Sequence, residues 1–126
     1  MKYTIQLNTG NQIHFESEDF NADLLAEKFN TNEILVTAIG DALISKNSIV
    51  SLVPEFEGEY SYMYELTITN GQKILIPTNE LLNIQAYPEL MNNQLYNFFS
   101  IGGVLLQKYI FNSLVLIKKE ESLVEE

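Results

Sequence analysis

The chain contains no cysteine, no tryptophan and no arginine, and all seven of its basic residues are lysines. Without cysteine there is no disulfide, no thiol nucleophile and no zinc centre of the usual thiolate kind. Without arginine it lacks the planar fork that grips phosphate or carboxylate at two points. That argues against recognition of nucleic acid, nucleotides or acidic substrates. Apolar runs are short as well. Residues 34–36 and 104–106 fall far below the roughly 20 residues that a helix needs to cross a bilayer. After Lys2 the N-terminus alternates polar with apolar residues and has no signal-peptide core, so a cytoplasmic protein without membrane association is expected.

What the chain has in excess is acid. Seventeen acidic residues oppose seven basic ones, for a net charge of −10. Such a field repels nucleic acid and anionic headgroups, favours basic partners and keeps the protein in solution. At 126 residues, 46% hydrophobic and 19% charged, the chain belongs with folded proteins. A chain of this size buries roughly two-thirds of its unfolded surface, enough for a core without metal or disulfide staples.

The sequence repeats itself. At an offset of 61 residues YTIQLNTGNQIHF (3–15) falls on YELTITNGQKILI (64–76), so that Tyr3 meets Tyr64, Gly10 meets Gly71 and Ile13 meets Ile74. At an offset of 62, IGDALISKNSIVSLV (39–53) falls on IGGVLLQKYIFNSLV (101–115) with seven identities in fifteen positions. Chance predicts about one. This pattern predicts an internal tandem duplication: 1–54 as the first repeat, 55–59 as an acidic linker, 60–118 as the second repeat and 119–126 as an acidic tail.

Each repeat reads as β-β-α-β-β(-β). Tyr3, Ile5 and Leu7 alternate with polar residues, NTGN turns, and Ile13 and Phe15 alternate back; Tyr64, Leu66 and Ile68, TNGQ, and Ile74 and Ile76 do the same. A helix is expected next. In the first repeat Ser17 or Asp19 is the expected cap, with Phe20, Leu24, Leu25 and Phe29 as the apolar stripe. In the second, Thr78 is the expected cap, Leu81, Leu82 and Gln85 continue, and Pro88 is expected to end the helix. Residues 33–40 and 95–102 return to strand, and further short strands follow. The expected class is α+β with mostly antiparallel sheets.

The run ISKNSIVSLVP (44–54) resembles the closing-strand motif of Sm-like and other small SH3-type barrels, over about a dozen positions. The resemblance implies small half-barrels. The helix here lies between the second and third strands instead of leading the domain, and the basic RNA-contacting residues of that family are missing. No RNA function is therefore carried over.

No motif nominates a reaction. Nucleophile-elbow, P-loop and dinucleotide-binding patterns are missing. His14, between Ile13 and Phe15, is expected on the outer side of its strand, and its counterpart in the repeat is Leu75. The Gly pair in SIGG (100–103) matches AIGD (38–41) and reads as a strand-to-strand turn. No catalytic residue, metal ligand or cofactor is expected.

The stretch EFEGEYSYMYE (55–65) divides under the repeat. Tyr62, Tyr64 and Leu66 are core-facing strand residues, and the acidic join before them bends at Gly58. Glu55, Glu57, Glu59 and Tyr60 are the expected partner-binding residues. The leading reading is a non-catalytic protein–protein interaction protein that also self-associates. One alternative is an anti-defence inhibitor of the phage anti-CRISPR type, whose acidic surface imitates nucleic acid towards a basic partner. Another is an enzyme with its site between the halves.

Overall fold

Strands form wherever apolar residues alternate with polar ones, and the computed structural model describes them over residues 1–31, 35–94 and 96–119. Residues 32–34, 95 and 120–126 lie outside the described residues, and with them part of the expected strands at 33–40 and 95–102 and nearly all of the expected tail. The elements are β1 (Lys2–Leu7), β2 (Gln12–Glu16), α1 (Ala22–Phe29), β3 (Val36–Ile39), β4 (Ala42–Ser45), β5 (Ile49–Pro54), β6 (Tyr62–Ile68), β7 (Lys73–Thr78), α2 (Tyr87–Met91), β8 (Phe98–Ile101), β9 (Val104–Gln107) and β10 (Phe111–Lys119). Single 3-10 turns cover Lys46–Ser48, Ile84–Ala86 and Lys108–Ile110. The fold is mixed and strand-rich, and the strand pairings are antiparallel throughout the described residues.

Five strands form one sheet in the order β2-β1-β5-β9-β8; three form another in the order β10-β6-β7; β3 and β4 make a separate hairpin. β1 is flanked by β2 and β5, and β6 by β7 and β10. The β8–β9 hairpin belongs to the second part of the chain, yet β9 pairs with β5, with Ser51 opposite Leu106 and Leu52 opposite Leu105.

Two cores result, one on each side of the five-stranded sheet. On one side α1 and the β3–β4 hairpin cover Tyr3, Ile5, Ile49, Leu52, Phe98 and Leu105. On the other, the three-stranded sheet supplies Tyr64, Leu66, Ile68, Ile74 and Ile76 against Ile101, Val104 and Leu106. Successive side chains of β9 point opposite ways, so Leu105 enters the first core while Val104 and Leu106 enter the second. β5 is shared too, giving Leu52 to the first core and Val53 to the second. Each such side chain contributes about 1.5–3 kcal/mol by leaving water. The segments 1–54 and 60–118 are therefore joined through a common sheet, and each core draws on both.

The helices depart from expectation. Asn21, not Ser17 or Asp19, caps α1, its Oδ1 accepting from Leu24 N at 3.1 Å. The buried face of the helix is Ala22, Leu25, Ala26 and Phe29, and Leu24, expected in the apolar stripe, is 57% exposed. Phe20 lies ahead of the helix and packs edge-on against Tyr3 and Phe15. In the second part Thr78 ends β7 and its hydroxyl donates to Glu80 O at 2.8 Å. Among the described residues the only α-helix there is five residues long, and Pro88 sits in its first turn instead of ending it. A proline in that turn loses no helical hydrogen bond, because its N–H would have had no partner within the helix. Proline therefore marks a start here.

Two lysines close the helix ends. Lys46 Nζ donates to the carbonyl of Phe29, the last residue of α1, at 2.7 Å and to that of Thr31, just past it, at 3.0 Å. Lys108 Nζ donates to Asn93 O at 2.9 Å, beyond α2. A cation at these carbonyls satisfies acceptors that the helix leaves open and complements its dipole.

Candidate functional site

The expected partner-binding residues sit on the join between β5 and β6. Glu55, Glu57 and Glu59 are exposed, and Tyr60 is half-buried, its ring edge-on to Phe56 at 6.3 Å. Phe56 in turn packs on the second core. The start of the join is pinned, because Glu55 N donates to Lys2 O at 2.7 Å. Its far end meets the end of β10: Glu59, Tyr60, Tyr62 and Lys118 line a shallow hollow of about 370 Å³. His14 is exposed on β2 as expected, with Nδ1 3.0 Å from Thr4 Oγ1.

Two larger concavities flank α2, and both were missed by sequence reasoning. The first, about 550 Å³, opens between α1 and the α2–β8 segment and is lined by Asp23, Glu27, Asn30, Leu90, Tyr96 and Phe99 among others. In it Ser100 Oγ donates to Asp23 Oδ1. The second, about 460 Å³, opens between α2 and β10 and is lined mostly by apolar groups: Tyr87, Met91, Ile101, Phe111 and Leu114, with Lys108 at its edge. Tyr87 lines both. Its burial, then the carboxylate of Asp23 and the nearby Tyr64, raise the pKa of its hydroxyl above the usual 10.0. The hydroxyl therefore stays protonated through the physiological range.

The polar contacts of the first concavity are structural in their geometry. Asn30 follows α1, and its side chain clamps β8: Nδ2 donates to Phe98 O at 3.0 Å, while Oδ1 accepts from Asn97 N at 2.7 Å and Phe98 N at 2.9 Å. One amide thus ties the first helix to a strand of the second part of the chain. Asn30→Ala leaves three backbone groups without these partners. With a net worth of about 0.5–1.5 kcal/mol per hydrogen bond, a loss of about 2–4 kcal/mol is expected in urea unfolding. Asn30→Asp keeps the acceptor and should lose less.

Among the described residues no group of three or more His, Cys, Asp or Glu is placed to hold a metal ion. No described helix is long and apolar enough to cross a membrane. The sheet edges are more telling. β10 pairs with β6 on one side, and among the described residues no strand pairs with its other side. Val115, Leu116 and Ile117 on this strand are exposed, and Phe111 and Leu114 open onto the apolar groove. Comparison with protein-family models, curated proteins and solved structures finds no match to this chain.

Proposed function

We propose that this chain is a non-catalytic protein-binding module, built by tandem duplication of a β-β-α-β-β(-β) half-barrel unit, that binds through the open side of β10. The observation that carries the reading is β10 itself. It is nine residues long, unpaired on one side among the described residues, exposes Val115, Leu116 and Ile117 in a row and is bordered by a groove of about 460 Å³. Such an edge offers a row of backbone donors and acceptors to an incoming strand, and the groove offers a seat for its side chains. The acidic join contributes from one end, where Glu59 and Tyr60 lie beside Lys118.

Matching contacts support the duplication. Leu7 N donates to Asn11 O as Ile68 N does to Gln72 O; Asn8 N to Ser48 O as Thr69 N to Ile110 O; Lys46 N to Leu35 O as Lys108 N to Asn97 O. The lysines that close α1 and the end of α2 are the aligned pair Lys46 and Lys108. Gly40 crowds Phe15 as Gly102 crowds Ile76, and both pairs of residues align in the repeat.

The test is capture of protein from an extract of the source cell on the immobilised chain, followed by a high-salt wash. The expected result is a partner retained in high salt and lost with Val115→Lys/Ile117→Lys. A partner released by salt, indifferent to the β10 substitutions and lost with Glu55→Gln/Glu57→Gln/Glu59→Gln would overturn the reading in favour of acidic mimicry.

A further inference from the structure

The repeat assigns an occupant to the open side of β10. We infer that it receives the β3–β4 hairpin of a second copy of this chain, with Leu43 and Val36 seated in the groove between α2 and β10. The inference rests on the proposed duplication and on β10 as the binding edge.

Within the chain, the β8–β9 hairpin has two working faces. Ile101, Val104 and Leu106 pack on the second core. Phe98 and Leu105 cross into the first, where they are 3% and 0% exposed, as β9 pairs with β5. At the repeat offset of 62, β9 corresponds to β4, β5 to β10, Phe98 to Val36 and Leu105 to Leu43. The β3–β4 hairpin uses its first face in the same way, burying Ile39 and Ile44 in the first core. Its second face meets nothing comparable: Val36 is 52% and Leu43 77% exposed. The same positions of the β8–β9 hairpin, Phe98 and Leu105, are covered, so the exposed face of the β3–β4 hairpin is a patch whose counterpart is an interface.

The groove is the complementary vacancy. In the first part of the chain, Phe98 and Leu105 fill the space between α1 and β5. Between α2 and β10 the corresponding space is open, floored by Ile101, Phe111 and Leu114. Transferring the β5–β9 register sets Leu114 opposite Leu43 and Ser113 opposite Ile44. The same register sets Asp41, at the turn between β3 and β4, opposite Leu116, two residues from Lys118 and within diagonal reach of an opposite-charge contact at the rim. Hairpin and groove are unlike surfaces. Reciprocal exchange between two copies closes a dimer, and one-way addition builds a longer assembly.

The absence of cysteine makes the test clean. The mass of the full chain in solution is measured by light scattering against concentration and salt, for the parent and for Val36→Lys/Leu43→Lys. Association above the monomer is expected, strengthened by salt because each copy carries −10. The double variant should keep the parent's far-ultraviolet circular dichroism while its association weakens by roughly thirtyfold or more, as for an interface anchor. Separate chains carrying Leu43→Cys and Leu114→Cys are then mixed under oxidising conditions. A disulfide-linked dimer is expected from the mixture and from neither chain alone. A parent chain that stays monomeric, or an association that ignores Val36→Lys/Leu43→Lys, overturns the assignment. If in that case Val115→Lys/Ile117→Lys still abolishes capture of another protein, β10 remains the binding edge and only the second-copy assignment fails; if capture survives it, the binding edge fails as well.

Discussion

Leu105→Ala lowers the stability of the fold by about 3 kcal/mol, and Leu43→Ala lowers that of the isolated monomer by less than about 0.5 kcal/mol. The two leucines fall on each other at the offset of 62 and sit at the same place in their hairpins. Leu105 is fully buried, pairs with Leu52 in the ladder and fills the first core beside Phe98. Truncation leaves a cavity beside the β5–β9 pairing that joins the two parts of the chain, and buried Leu→Ala changes cost about 2–5 kcal/mol according to how far the site can collapse. Domains of this size are stable by only about 5–15 kcal/mol, so the loss is plain in a urea titration. Leu43 loses nothing that the monomer buries. The comparison is made at concentrations where the chain is monomeric; equal losses at the two positions would contradict the unequal roles of the hairpins.

Gly102→Ala destabilises by about 2–4 kcal/mol, more than a turn glycine usually costs. Gly102 has φ +57°, and a Cβ there would stand 2.5 Å from Ile76 Cγ2, itself fully buried. The left-handed backbone accounts for about 1–2 kcal/mol of this. The remainder comes from forcing Ile76, held in the second core, out of its place. Gly71→Ala separates the two effects. Its φ is +88°, but a Cβ there meets nothing within 4 Å, so only the backbone strain should appear. If the two substitutions melt alike, Ile76 yields more freely than a packed core allows.

Much of the architecture could be read from alternation. Tyr3, Ile5 and Leu7, and Tyr64, Leu66 and Ile68, mark strands because a pleat turns every second side chain to one side, and these residues do pack on the two cores. Helix boundaries were less readable. Around residues 17–21 three side chains could cap, Ser17, Asp19 and Asn21, and the choice of Asn21 follows from which helical face meets the sheet, a tertiary fact. Pro88 was ambiguous in kind, since the same fixed φ that ends a helix also begins one. Asn30 carried no signal beyond its place after an apolar stripe; its three contacts lie at residues 97 and 98.

Composition and alternation carried the strands of the β1–β2 and β6–β7 hairpins, the excess of acid, the lack of any recognisable catalytic motif and the likeness of 3–53 to 64–115. Those properties depend on neighbouring residues or on totals, and neighbours and totals are what a sequence displays. That aligned hairpins have unequal fates, with Leu105 buried and Leu43 in water, came from packing between distant segments. Burial depends on which strand supplies the next ladder, and a single hairpin placed against β5 leaves its aligned partner, and the edge of β10, without one among the described residues.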